Sequence, residues 1–122
     1  MANPPTMQVF ARKLDPSARR DYYPVLVQNA TVDAMLQPGE TVTGFTVALR
    51  AEAAAAGLRL LTGGKEPRYE NLVFAFWVEI DPAKRGDVIF NGFGVDLGVE
   101  ITFTTNLDRV DQFTVGVRVV NL

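Results

Sequence analysis

The sequence predicts an all-β fold: an antiparallel β-sandwich of seven to eight short strands with at most one short helical turn. Three observations carry that prediction. Apolar residues recur with period two wherever the pattern is strong, most clearly at Phe113, Val115, Val117 and Val119, as they do along one face of a strand. Turn-forming residues stand at Pro38-Gly39, Gly63-Gly64, Asp81-Pro82 and from Gly92 to Gly98, a rhythm of short strands and turns that suits a sandwich. The 122 residues are enough for one buried core and too few for two.

Taken in chain order, residues 1–12 read as an arm and residues 13–122 as a single sandwich domain. Residues 7–10 and 22–28 are weakly extended. Pro38-Gly39-Glu40 forms a turn that introduces a strand over 42–49. Phe45, Val47 and Leu49 share one face of it, and Val42 falls out of step across Gly44, which marks a bulge. Residues 51–56 are good helix formers but too few to hold a helix alone, so they make one turn between strands. Residues 58–61 are again weakly extended.

Residues 71–80 differ from the other strands in being apolar on both parities. Phe74, Phe76, Val78 and Ile80 lie on one side, and Val73, Ala75 and Trp77 on the other. Such a strand lies centrally in a sheet, or has its outer face covered by another segment or subunit. A 122-residue sandwich is small for supplying that cover itself, so an intersubunit interface is expected there. Asp81-Pro82 ends the strand, because proline has no N–H to give the ladder. Residues 88–90 are weakly extended, residues 99–104 alternate, and the short polar stretch 105–111 closes a hairpin onto the final strand.

The chain has no Cys and no His. That removes disulfides, thiolate nucleophiles and zinc-cysteine sites, together with the residue used in most Ser and Cys triads. Carboxylate chemistry is what survives. Asp81, Asp87, Asp96 and Glu100 are the densest acidic set, but their spacing lacks the alternating ligands of a calcium loop and none is embedded in an apolar run. They read as solvated loop carboxylates. Asn91-Gly92-Phe93-Gly94 lacks the Lys-Ser/Thr ending and following helix of a phosphate loop, and reads as a tight β-connection. Asn29-Ala30-Thr31 matches a glycosylation sequon without a secretory signal before it. No enzyme activity, cofactor or metal is expected.

Twelve basic and fourteen acidic residues leave a net charge of -2, too weak and mixed to gather nucleic acid or anionic lipid. No stretch approaches the roughly 18 apolar residues of a membrane span. Tyr22, Tyr23, Tyr69 and Trp77 could form an aromatic platform for sugar or for a partner subunit, whereas Trp77 alone reads better as filling a gap between the sheets.

Several short motifs occur in a telling order. Lys13-Leu14-Asp15-Pro16-Ser17-Ala18 leads to Asp21-Tyr22, and Met35-Leu36-Gln37-Pro38-Gly39-Glu40-Thr41-Val42 follows. The C-terminal half has a glycine-rich turn from Gly92 to Gly98, the Thr-rich strand Val99-Glu100-Ile101-Thr102-Phe103-Thr104-Thr105, the hairpin Asp108-Arg109-Val110-Asp111 and a valine-rich end. In this order and spacing, over about half of the chain, the sequence resembles the small Ig-like β-sandwich virion proteins of tailed bacteriophages, described as tail-fibre adaptors or minor structural proteins. Val32 and Met35 stand where that group carries tryptophans, and residues 58–84 have no clear counterpart in it.

The resemblance implies a non-enzymatic virion protein, an adaptor joining the tail or portal region to fibres or other tail proteins. It would be made in the host cytoplasm without a signal peptide and oligomeric in the particle. A capsid decoration protein is the alternative within the same class, and a carbohydrate-binding module lies further off. The contacts expected are Asn3, Pro4, Pro5 and Met7 in the arm, suited to strand addition or wrapping; Tyr22, Tyr23 and Phe93 in loops; and Trp77.

Overall fold

A computed structural model describes residues 8–26 and 36–122. Among these, eight strands form two sheets facing each other, the all-β sandwich that the alternation predicts. The larger sheet holds β1 (Gln8–Val9), β3 (Val42–Leu49), β7 (Val95–Thr105) and β8 (Val110–Val119) in the order β1-β8-β7-β3. The smaller holds β2 (Arg19–Tyr22), β4 (Leu58–Leu60), β5 (Arg68–Glu70) and β6 (Val73–Ile80), all paired to β6. One helical turn, α1 (Ala51–Ala55), carries the chain from β3 in one sheet to β4 in the other.

The core follows from parity. Odd residues of β7, those of β8 from Phe113 onward, and Phe45, Val47 and Leu49 of β3 face inward, where they meet Phe74, Phe76, Val78 and Ile80 of β6. Phe74 joins the two layers. Its ring centroid lies 5.5 Å from Phe45, 6.2 Å from Phe103 and 6.0 Å from Phe113, all on the opposite sheet. The expected bulge is present, as a register shift between Val42 and Gly44. The expected hairpin pairs β7 with β8 from Val95↔Val119 to Thr104↔Val110.

Three details correct the expectation. The sandwich is not wholly antiparallel, because β1 pairs with β8 in parallel and Leu14 bridges Val119 in the same sense. Part of the arm, Gln8–Val9, is therefore a strand of the larger sheet. Residues 88–90 are not extended but form a 3₁₀ turn, Val88–Phe90, because Asp87 Oδ1 accepts from the Ile89 N–H at 3.1 Å and Phe90 is buried. A second 3₁₀ turn, Pro82–Lys84, is capped likewise by Asp81. Helical turns thus exceed the one expected, since an Asp placed two residues before a free N–H tightens a short connection locally. No helix among the described residues is long and apolar enough to cross a membrane.

Both poles of the sandwich are fastened. At one, Glu40 is 1% exposed and accepts from Arg109 Nε at 2.8 Å, Arg109 Nη2 at 2.7 Å, the Thr105 hydroxyl at 2.6 Å and the Gln37 N–H at 2.8 Å. The Thr41 N–H donates to Asn106 Oδ1, and the Asn106 N–H to the Thr41 carbonyl. The turn before β3 is thereby tied to the β7–β8 hairpin. At the other pole, Asn121 N–H donates to the Phe90 carbonyl at 2.8 Å and Gly94 passes beneath the end of β8.

Gly94 has φ +75°, and a Cβ there would sit 2.2 Å from the Val119 carbonyl oxygen. Gly39 has a similar φ of +80° but no heavy atom within 4 Å of its would-be Cβ. Gly39→Ala should therefore cost only the left-handed backbone penalty, about 1–2 kcal/mol. Gly94→Ala adds a backbone clash and should cost more, roughly 3 kcal/mol or above. Urea unfolding of the two variants measures the difference, and equal losses would contradict this account of Gly94.

Candidate docking surface

The longest strand sets the distance between the poles. β7 spans eleven residues, so the two loop ends lie roughly 35 Å apart at about 3.3 Å per residue. At the Gly94 pole the chain presents Val88, Ile89 and Phe93, with Phe93 92% exposed. Phe93 sits in the turn closed by the Gly94 N–H to the Asn91 carbonyl at 3.1 Å, as the glycine spacing predicts. Phe90, three residues earlier, is fully buried and anchors the same loop. At the Glu40 pole, Val25, Leu107 and Val110 are exposed.

A buried phenylalanine contributes about 3–5 kcal/mol to stability, whereas an exposed one contributes almost nothing. Phe90 and Phe93 therefore have different physical tasks. Phe90 holds the loop, and Phe93 exposes a large apolar ring that folding alone does not require.

The expected contact residues fall in different places. Phe93 is in a loop and open to solvent. Tyr23 is exposed, with its hydroxyl donating to Asp21 Oδ2. Tyr22 is not a loop residue: it ends β2, is 3% exposed, stacks 4.8 Å from Phe10 and 6.0 Å from Phe76, and donates its hydroxyl to the Arg12 carbonyl at 3.0 Å. Its parity along the strand points it at the core while Tyr23 points away. Asn3, Pro4, Pro5 and Met7 lie outside the described residues, as do Asn29-Ala30-Thr31, Val32 and Met35.

Trp77 does not fill the space between the sheets. It lies half-buried on the outer face of β6, with Lys65 Nζ 5.2 Å from its ring centroid. Much of the cover for this face comes from the chain itself, since Ala75 and Glu79 beside it are buried. Nor do the four aromatics form one platform: Tyr69 packs on Phe45 and Phe74, Tyr22 is in the core, and no ring contact among the described residues joins any two of the four.

The acidic set is used structurally. Asp81 and Asp87 cap 3₁₀ turns, Asp96 takes both arms of Arg118 at 2.7 and 2.9 Å, and Glu100 accepts from Gln112 at 2.8 Å. Sequence reasoning missed Glu40 and Glu79, the two buried carboxylates among the described residues. A signal for Glu79 was available, since it is the only charged residue within the apolar run 71–80. Val88 and Ile89 were missed because an exposed 3₁₀ turn of apolar residues reads like a strand.

Fold and surface together define a two-sheet β-sandwich with apolar loops at both poles. Comparison with protein-family models and with curated proteins finds no match.

The Arg109 fork, helped by Thr105 and the Gln37 N–H, outweighs burial and lowers the Glu40 carboxyl from 4.5 to about 2. A carboxyl lowered on folding stabilises fully above its unfolded value, and that contribution is lost as pH falls toward the folded one. Asp96, held low by Arg118, acts in the same direction. Stability should therefore decline from about pH 4.5 to about pH 2. Glu40→Gln should be less stable at neutral pH and lose less over that range. Urea midpoints across the range test this, and an unchanged acid slope in the variant would contradict it.

Proposed function

We propose that the chain is a non-enzymatic docking protein of a bacteriophage virion, an adaptor that holds two other virion proteins at its opposite poles. The observation that carries this reading is the pair of exposed apolar loop ends, Val88, Ile89 and Phe93 at one pole and Val25, Leu107 and Val110 at the other. Exposed apolar side chains at rigidly held positions fit a partner better than solvent. Their separation along β7 suits a connector, which must meet two neighbours without bringing them into contact with each other.

The motif order supports the same reading. Two of the motifs that resemble the phage proteins, the Gly39-Glu40 turn and the Arg109 hairpin, meet where Arg109 holds the buried Glu40. Residues 69 positions apart are thereby fixed against each other. A shared need for that pair accounts for why a turn and a hairpin so distant in sequence would recur together.

Mass spectrometry of particles purified from the phage that encodes the chain tests the proposal. The protein should be present at a few copies per particle; hundreds of copies would point to decoration of the capsid instead. Absence from the particle would end the virion reading. Phe93→Asp should leave urea stability within about 0.5 kcal/mol of the parent and lower incorporation roughly tenfold, the loss of one interface anchor.

A further inference from the structure

The outer face of the smaller sheet carries a cationic surface that polar docking does not use. Cross-strand register places Arg19 of β2 and Arg59 of β4 on either side of Glu79. Arg19 Nε and Nη2 lie 3.1 Å from Glu79 Oε1, and Arg59 Nε and Nη2 lie 2.8 and 2.6 Å from Oε2. Arg85 Nη2 stands 3.9 Å from Oε1, while its Nε donates to the Ile80 carbonyl at 3.2 Å. Burial raises the Glu79 carboxyl, but the Arg59 and Arg19 forks outweigh it and hold the group ionised, below its ordinary value.

One carboxylate cannot offset three guanidiniums. Their side chains remain 57%, 49% and 37% exposed, and the Nη1 groups of Arg19 and Arg59 make no polar contact among the described residues. Arg19, Arg59, Glu79, Leu61, Gly63 and Lys65 line an open depression of about 440 Å³. Lys65 adds a further cation over Trp77. The nearby acids Glu66 and Asp21 accept from neutral donors, the Gly63 and Gly64 N–H groups and the Tyr23 hydroxyl, and keep their charge, so the excess of cations is confined to the depression at Glu79. The charge excess is local, in a chain whose net charge is -2.

A second depression, of about 470 Å³, follows along β6 and is lined by Tyr23, Arg68, Tyr69, Glu70, Val73 and Ala75, so that Arg68 has Glu70 on the same face. Arg68 stands opposite Ala75 and Arg59 opposite Glu79, so Arg68 lies four residues of strand, roughly 13 Å, from the Arg59 fork. Between them lies the half-buried Trp77. Anything extended along β6 thus meets the Arg19 and Arg59 forks, then the Trp77 ring with Asp21 opposite it on β2, then Arg68 with Glu70 near it.

We infer that this face binds an acidic segment of a partner protein, laid along β6 with carboxylates about four residues apart and an apolar side chain between them. Carboxylate is the chemistry that the planar forks of Arg19 and Arg59 already hold in Glu79, and the spacing matches an extended peptide. The site is separate from Phe93 and stands whether or not the poles dock virion proteins.

Trp77 is the chain's one tryptophan, so its fluorescence reports on the site directly. Capped hexaglutamate should change that fluorescence saturably, hexalysine should not, and about 0.5 M salt should abolish the response. Lys65→Gln and Arg68→Gln, neither of which touches Glu79, should each weaken binding about threefold. Glu79→Gln frees both forks and should tighten it about fivefold; should that variant fail to fold, the other two carry the test. Phe93→Asp should bind hexaglutamate as the parent does, which separates this site from the docking proposal. An absent response, or unchanged affinity in both Lys65→Gln and Arg68→Gln, would overturn the site. Tighter binding of dextran sulfate than of hexaglutamate at equal charge would overturn the assignment to a peptide.

Discussion

Every strand of the smaller sheet is hydrogen-bonded to β6, and no other pairing within that sheet exists among the described residues. The constraint on which the structure rests is therefore that Val73–Ile80 stays extended and covered on both faces. Its inner face is covered by the larger sheet, through the Phe74 cluster and the fully buried Phe76, Val78 and Ile80. Among the described residues no second layer covers its outer face. The long side chains of Arg19, Arg59 and Arg85 gather there on Glu79, and Lys65 lies over Trp77, in the manner of amphipathic side chains that cover an apolar surface while keeping a charged head partly in water.

Covering a strand with cationic side chains has an electrostatic consequence that covering it with leucines would not. The guanidiniums need an internal carboxylate to hold them down, and Glu79 supplies it from the strand being covered. Glu40 at the pole solves a different problem with the same chemistry. There one carboxylate and one guanidinium, with Thr105 and the Gln37 N–H completing the carboxylate's bonds, close a pole and leave no excess charge. Around Glu79 the ratio is three to one, so the solution that buries the strand also creates the positive face. An ion pair made by a buried carboxylate is a weak source of net stability; both carboxylates act here by fixing which segments meet, Glu40 the turn and the hairpin, Glu79 the strands β2, β4 and β6.

How much of this was legible in the sequence follows from what each feature depends on. Strands β3, β6, β7 and β8 declared themselves because their inward residues recur at every second position over five to seven residues, and the bulge at Gly44 because alternation broke there; the start of β7 at Val95 did not, since residues 92–98 read as a glycine-rich turn. β2 and β5 did not, since Arg19–Tyr22 and Arg68–Glu70 are polar strands whose existence depends on pairing with β6 rather than on their own pattern. The 3₁₀ turn at Val88–Phe90 defeats periodicity because three apolar residues fit a strand and a turn equally well; Asp87 decides between them. Tyr22 and Tyr23 could not be separated without the strand's parity. Phe93 could be, because the glycines at 92 and 94 mark a turn whose middle residue must point outward.

The feature least visible in the sequence, the Glu79 cluster, is also the one that changes how the apolar strand should be understood. A strand hydrophobic on both sides suggests that a partner's apolar surface completes it. Here the chain has already supplied most of the cover, and beside Trp77 stand the Lys65 ammonium and the Arg19 and Arg59 forks, with Asp21 opposite it on β2. A partner approaching this face would meet guanidinium and ammonium groups before it met hydrocarbon. Since removing those charges from water without compensation is costly, a purely apolar partner is disfavoured and an acidic one is selected. The small size of the domain thus shapes its recognition chemistry, because too few residues for a third layer means that the outer face is closed with arginine and lysine.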